Sequence, residues 1–134
     1  MSELRAMLKK HEGLKLKPYR CPAGKLTIGY GHNIEDKGIS KRIAELILGE
    51  DLKEAMQELL RVMPAALLVS EPRQNVLISM MFNLGTDKFL EFKKMIQAVE
   101  DRDFNKAADE MLDSKWARQV KSRADELAAM MREG

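Results

Sequence analysis

Apolar residues recur along most of this chain at the three-to-four spacing of a helix, and the exceptions fall in one short stretch near its front. Leu4, Met7 and Leu8 predict a first helix, with Ser2 as its cap and Gly13 as the left-handed residue just past Glu12. From residue 14 to residue 32 the period changes. Leu26, Ile28 and Tyr30 alternate with Thr27, Gly29 and Gly31, which is strand spacing, and Cys-Pro-Ala-Gly at 21–24 supplies a turn. Residues 15–32 therefore read as a hairpin whose second strand covers 26–32. After a polar link, Ser40 caps a long helix carrying Ile43, Ala44, Ile47, Leu48, Ala55, Met56, Leu59 and Leu60, which Pro64 ends. Ser70 opens another helix with Val76, Leu77, Met80 and Met81, closed by Gly85. Shorter helices are predicted around 89–99, 103–112, 116–120 and 122–131. The pattern describes an α+β chain that is mainly α: one domain over 1–134, with a small β lobe at about 13–39 and a larger helical lobe made of 1–12 and 40–134.

Composition narrows the classes. With 134 residues, 45% apolar and 33% charged, and with only 8 Gly and 4 Pro, the chain has material for a core and is neither disordered nor low-complexity. One Cys excludes an internal disulfide, and one Cys with two His excludes the usual structural zinc sites. The longest apolar run, residues 63–69, falls far short of the ~20 residues a membrane span needs. Met-Ser-Glu-Leu-Arg leads into no apolar signal core, so the expectation is a cytoplasmic protein without stable membrane insertion. The ten Met fall mostly at helical apolar positions and read as adaptable core packing; Trp116 reads as a core anchor rather than a sugar platform.

The net charge of +2 is unevenly distributed. Residues 1–41 carry nine Lys/Arg against four Asp/Glu, whereas residues 42–134 carry fourteen against seventeen. A basic front suits an anionic polymer, and nucleic acid, phospholipid and bacterial cell wall all qualify. A small nucleic-acid-binding module is the weaker of these alternatives, because the sequence offers neither a Lys/Arg-rich recognition helix nor a run of stacking aromatics.

The candidate chemistry lies at the front. One face of the strand at 26–32 is apolar, while the other shows Thr27, Gly29 and Gly31, nearly stripped of side chains, as the floor of a cleft would be. Glu12 falls in the last turn of its helix, where the macrodipole is negative; that setting, with partial burial, raises a carboxyl pKa and suits a general acid. Cys21 is flanked by Arg20 and Lys25, whose charges favour a thiolate.

These residues carry a resemblance. Glu12, eight residues, Cys21, five residues, Thr27, then Ile-Gly-Tyr-Gly-His at 28–32, resembles the phage-type lysozymes of glycoside hydrolase family 24, endolysins that cut the murein glycan. The lead-in His-Glu-Gly-Leu-Lys-Leu-Lys-Pro-Tyr at 11–19 is similar as well, as are Met80-Met81-Phe82-Asn83-Leu84-Gly85, Ser114-Lys115-Trp116 and Arg123-Ala124, so the resemblance spans essentially the whole chain. It implies a lysozyme-like fold with an active-site cleft between the two lobes, and the short link between His32 and Ser40 implies a reduced β lobe. It also implies hydrolysis of the β-1,4 bond between N-acetylmuramic acid and N-acetylglucosamine. Glu12 would protonate the leaving oxygen and Thr27 would stand beside the attacking water. Cys21 stands where the family has Asp or Cys, open to reading as a water-activating thiolate, a nucleophile or a polar placeholder. Gly29 and Gly31 would line the substrate strand, His32 and Asp51 would tie the β lobe to the long helix, and Arg123 would orient Glu12. No metal or organic cofactor is implied. The partner would be peptidoglycan, met by a monomer stored in the host cytoplasm until another protein releases it to the wall. A wall-binding protein of the same fold without turnover is the alternative.

Overall fold

The change of period after Gly13 corresponds to a change of structure. In the computed structural model, which describes residues 1–134, the chain opens with helix α1 (Ser2–Glu12) and turns at Gly13 into a three-stranded antiparallel sheet of order β1 (Lys15–Arg20), β2 (Leu26–Gly29) and β3 (His32–Asn33). Ser2 is not the cap expected of it: the Arg5 N–H donates to the Met1 carbonyl at 2.8 Å, so helical bonding starts one residue earlier. At the other end the Gly13 N–H closes on the Lys9 carbonyl at 3.0 Å, with Gly13 at φ +72°.

The strand expected over 26–32 is broken. Gly29 and Gly31 take φ of +69° and +72°, so Gly29-Tyr30-Gly31 reverses the chain and sets Ile28 opposite His32 and Thr27 opposite Asn33. Alternation alone reads such glycines as strand positions, whereas their freedom at positive φ makes them a turn. β1 is an edge strand whose pairing with β2 is irregular between Lys15 and Tyr19, the interval that holds Pro18, which has no N–H to donate.

A short helix, α2 (Ile34–Lys37), is capped by Asn33, whose Oδ1 accepts from the Asp36 N–H at 3.1 Å. Its carboxylates strap the hairpin: Glu35 accepts from Arg20 at 3.3 Å and from the Leu26 N–H at 3.3 Å, and Asp36 from the Lys25 ammonium at 3.2 Å. Ser40 then caps the long helix α3 (Lys41–Val62) as expected, its Oγ accepting from the Ile43 N–H at 3.2 Å. The chain divides into two compact units within α3, at Ile47/Leu48.

The second unit, Leu48–Gly134, holds the core. After α3 come a 3-10 helix (Pro64–Leu68) and α4 (Glu71–Leu84), started by Ser70 and carrying buried Val76, Leu77, Met80 and Met81. Five helices follow: α5 (Thr86–Leu90), α6 (Lys93–Glu100), α7 (Phe104–Leu112), α8 (Lys115–Val120) and α9 (Ser122–Glu133). The single helix expected over 89–99 is thus two, because the chain leaves helical geometry at Phe92. That break turns Phe92 edge-on to Trp116, ring centroids 6.0 Å apart, while Phe89 stays fully buried. Met63, Met80, Met95, Met111 and Met131 are all fully buried, the packing role their spacing predicts. Trp116 is likewise in the core and donates its indole N–H to Asn83 Oδ1 at 2.8 Å. Arg73 donates to the carbonyls of Met131 and Arg132 at 2.7 and 2.8 Å and lies over the Phe104 ring, fastening α9 to α4. No helix is long and apolar enough to cross a membrane.

Candidate active site

Glu12 lies against a glycine. A Cβ built on Gly31 would stand 2.5 Å from Glu12 Oε2 and 2.9 Å from its Cδ, closer than any real side chain tolerates. The carboxylate therefore occupies the space a side chain at 31 would need, and α1 ends against the β2–β3 turn. The partial burial expected of Glu12 is absent: it is the last residue of an exposed helix and remains open to solvent. One helical turn back, Lys9 places its ammonium 5.4 Å from the centre of the Tyr30 ring, so α1 touches both Tyr30 and Gly31.

Cys21 sits at the mouth of the hairpin turn, partly buried. Its N–H donates to the Lys25 carbonyl at 3.0 Å, and the Gly24 N–H returns to the Cys21 carbonyl at 2.8 Å. Folded in this way, the turn aims main-chain donors at the sulfur. The thiol pKa is held below its ordinary value by the Lys25 backbone N–H first, against the opposing effect of burial, and then by the Ala23 N–H and the Thr27 hydroxyl. The charges of Arg20 and Lys25, expected to do this, are engaged elsewhere: Arg20 binds Glu35 and the Gly24 carbonyl, and the Lys25 ammonium lies 3.5 Å from Glu35 and 3.2 Å from Asp36. The direction is the expected one, but main-chain amides rather than these two charges favour the thiolate.

Thr27 is the buried polar side chain of the fold, 3% exposed, and its Oγ1 donates to the Lys25 carbonyl at 2.8 Å. It does not lie on an open strip: Leu26, Ile28 and Gly29 of that strand are half-exposed, and Thr27 alone is buried. One carbonyl, that of Lys25, thus accepts from both Cys21 and Thr27 and joins them. His32 is half-buried, and its Nε2 lies 2.7 Å from the Gly38 carbonyl, bracing the segment after β3. Glu12, Cys21, Thr27, Gly29, Gly31 and His32 all belong to the first unit.

Asp51 and Arg123 belong to the second. Asp51 is exposed and, with Glu54, Glu58 and Thr86, lines an acidic cavity of about 380 Å³. There Glu58 accepts from Arg61 at 2.7 Å and from Thr86 at 2.9 Å, and Arg61 first and Thr86 second hold its carboxyl below the usual range. Arg123 donates to Ser79 Oγ at 3.1 Å. No trio of His, Cys, Asp or Glu converges as metal ligands. Sequence reasoning missed Lys9 and Tyr30; the three-residue spacing of Lys9 and Glu12 on one helix face was the available signal.

The phage lysozyme family matches residues 9–132, an interval that contains every one of these residues. The chain belongs to that family. Among its relatives, an endolysin of Acyrthosiphon pisum secondary endosymbiont phage 1 is 31% identical over 116 residues, covering 84% of this chain and 75% of the endolysin. Probable T4-type lysozyme 1 of Dictyostelium discoideum is 26% identical over 163 residues, covering 100% of this chain and 96% of its own. That alignment is longer than the 134 residues here, so the relative carries residues this chain lacks. The pre-baseplate central spike protein of Enterobacteria phage T4 is 28% identical over 96% of this chain, which covers 27% of the spike protein. Family membership agrees with the α+β, mainly α architecture and makes this a lysozyme-type glycoside hydrolase.

Proposed function

We propose that the chain is an endolysin-type muramidase that hydrolyses the β-1,4 bond between N-acetylmuramic acid and N-acetylglucosamine in bacterial peptidoglycan, with Glu12 as general acid. The observation that carries this reading is the seat of Glu12 against Gly31, in a chain of the phage lysozyme family: a carboxyl group set against a glycine turn, yet open to a polymer arriving from solvent. Glu12 gives its proton to the leaving glycosidic oxygen as the bond to the anomeric carbon breaks. A water completes the reaction, its oxygen bonding to that carbon and its proton passing to the Cys21 thiolate. Thr27, joined to Cys21 through the Lys25 carbonyl, keeps the sulfur and the water in register. Gly29 and Gly31 leave the positions on either side of Tyr30 free of side chains, and His32 ties the strand after the turn to Gly38. Asp51 and Arg123 enter as supporting residues on the family resemblance.

No cofactor takes part in this scheme. The enzyme acts as a monomer on glycan strands, not on nucleic acid, and it waits in the host cytoplasm until released. Mass spectrometry of purified murein after digestion tests the reading: muropeptides with a free reducing N-acetylmuramic acid are expected. Anhydro products would reassign the chain to lytic transglycosylation. Binding to murein without any product would make it a wall-binding protein of the same fold. Glu12→Gln should lower release by at least about 10²–10⁴-fold while melting near the parent, because an amide has no proton to give.

A further inference from the structure

We infer that Tyr30, steadied by Lys9, is a stacking ledge for a sugar ring of the glycan beside Glu12. The inference rests on the muramidase reading and names a contact within it. Tyr30 stands at the tip of the β2–β3 turn between two glycines at positive φ, so neither neighbour has a side chain to crowd its ring. It stays 44% exposed even with the Lys9 ammonium 5.4 Å from the ring centre. An exposed apolar side chain alone signifies nothing. This one adjoins Gly31, where an added Cβ would lie 2.5 Å from Glu12 Oε2, so its ring and the acid meet at the same three-residue turn. Lys9 and Glu12 come from one face of α1, which fixes ring and carboxylate from the same side of the chain.

The chemistry matches a pyranose. An aromatic face attracts the polarised C–H face of a sugar by dispersion and through the ring quadrupole, and Tyr loses little side-chain freedom in doing so. Lys9 restrains the ring by cation–π attraction. Lys15, whose backbone pairs with Gly29, adds a second basic residue next to the turn. Stacking on Tyr30 with positive charge nearby suits an acetamido sugar whose substituent bears carboxylates, as murein with its peptides does. Tyr30 thus binds and positions, and transfers no proton.

The test uses the full chain carrying Glu12→Gln, which holds glycan without cutting it, and soluble uncrosslinked murein glycan strands as the probe. Adding Tyr30→Ala should weaken binding by titration calorimetry at least tenfold, and Tyr30→Phe should stay within twofold of the parent. Bound sugar protons should shift upfield in NMR with Tyr or Phe at 30, and not with Ala. In the active enzyme, Tyr30→Ala should raise KM while leaving the pH profile in place. Tyr30→Leu separates stacking from bulk: it should bind as weakly as Ala, and Leu binding as well as Phe would overturn the ledge. So would Tyr30→Ala binding as tightly as its parent in an enzyme that still releases muropeptides. Failure of the wild type both to bind strands and to release muropeptides would instead overturn the muramidase reading, and the ledge with it.

Discussion

Gly31→Ala separates two things that a glycine at this place supplies, freedom of the backbone and room for Glu12. Both Gly29 and Gly31 have left-handed φ, +69° and +72°, where an L side chain costs about 1–2 kcal/mol. At Gly29 an added Cβ meets nothing within 4 Å, so Gly29→Ala bears only that cost, a melting decrease of roughly 3–10 °C for a chain of this length. At Gly31 the same Cβ would lie 2.5 Å from Glu12 Oε2, so the carboxylate must retreat by about an ångström to regain ordinary contact. A carboxylate at the end of a flexible side chain moves cheaply, so the two variants should lose similar stability. Their activities should part. A displacement of that size at an acid costs on the order of 10²-fold in rate, whereas Gly29→Ala should remain within a few-fold of wild type. Urea denaturation gives the stabilities, and clearing of a murein suspension, measured well below both melting temperatures, gives the rates. Combined with Glu12→Ala, Gly31→Ala should destabilise no more than Gly29→Ala does. A Gly31→Ala enzyme with more than a third of wild-type activity, or a Gly29→Ala enzyme equally impaired, would refute the seat of Glu12 as the reason for this glycine.

Alkylation of Cys21 by iodoacetamide should reach its plateau at lower pH than alkylation of an unperturbed thiol, because its thiolate is held by amides; Cys21→Asp should keep activity and Cys21→Ser should lose most of it, and a fully active Ser variant would remove any chemical role for the sulfur. Glu58 has a depressed carboxyl pKa in the folded state, so its contribution is present above the pKa of an unfolded carboxylate and is lost as pH falls through the lower folded value. Thermal melts of Glu58→Gln should therefore vary less with pH on the acid side than those of wild type, and parallel curves would contradict this. Trp116→Phe keeps most of the bulk but strands the Asn83 carbonyl that accepts at 2.8 Å; equilibrium unfolding should show a loss of about 1–3 kcal/mol, and an unchanged midpoint would mean that bond carries nothing.

The helices were legible because each depends on local signals. Ser40 and Ser70 cap where a Ser precedes an apolar period, and Gly85 closes α4 as expected. Phe92 escaped notice because nothing local marks it; it leaves the helix to meet Trp116, 24 residues later in the sequence, and only tertiary packing decides that. In the β stretch the same letters served two structures. Alternating glycines fit a strand by period and a turn by conformation, and the pairing of Ile28 with His32 selected the turn. The spacing of Glu12, Cys21 and Thr27 was visible, but what surrounds Cys21 was not. Reading charge from side chains pointed to Arg20 and Lys25, while α2 supplies carboxylates for both cations.

The double acceptance at the Lys25 carbonyl, with the Lys25 amide turned toward the sulfur, has a bearing on how this turn tolerates change. Position 25 serves the thiol with atoms every residue possesses, so its side chain is interchangeable there, proline excepted for want of an N–H. Loop length is the opposite case. One residue inserted or deleted between Cys21 and Lys25 would slide the amide and the carbonyl past their partners together, however conservative the residue. A substitution library at 25 should thus leave the thiol's behaviour largely unchanged, whereas Gly24, at φ +81°, is held to glycine by its backbone, and single-codon insertions and deletions between 21 and 25 should be silent in none of their members.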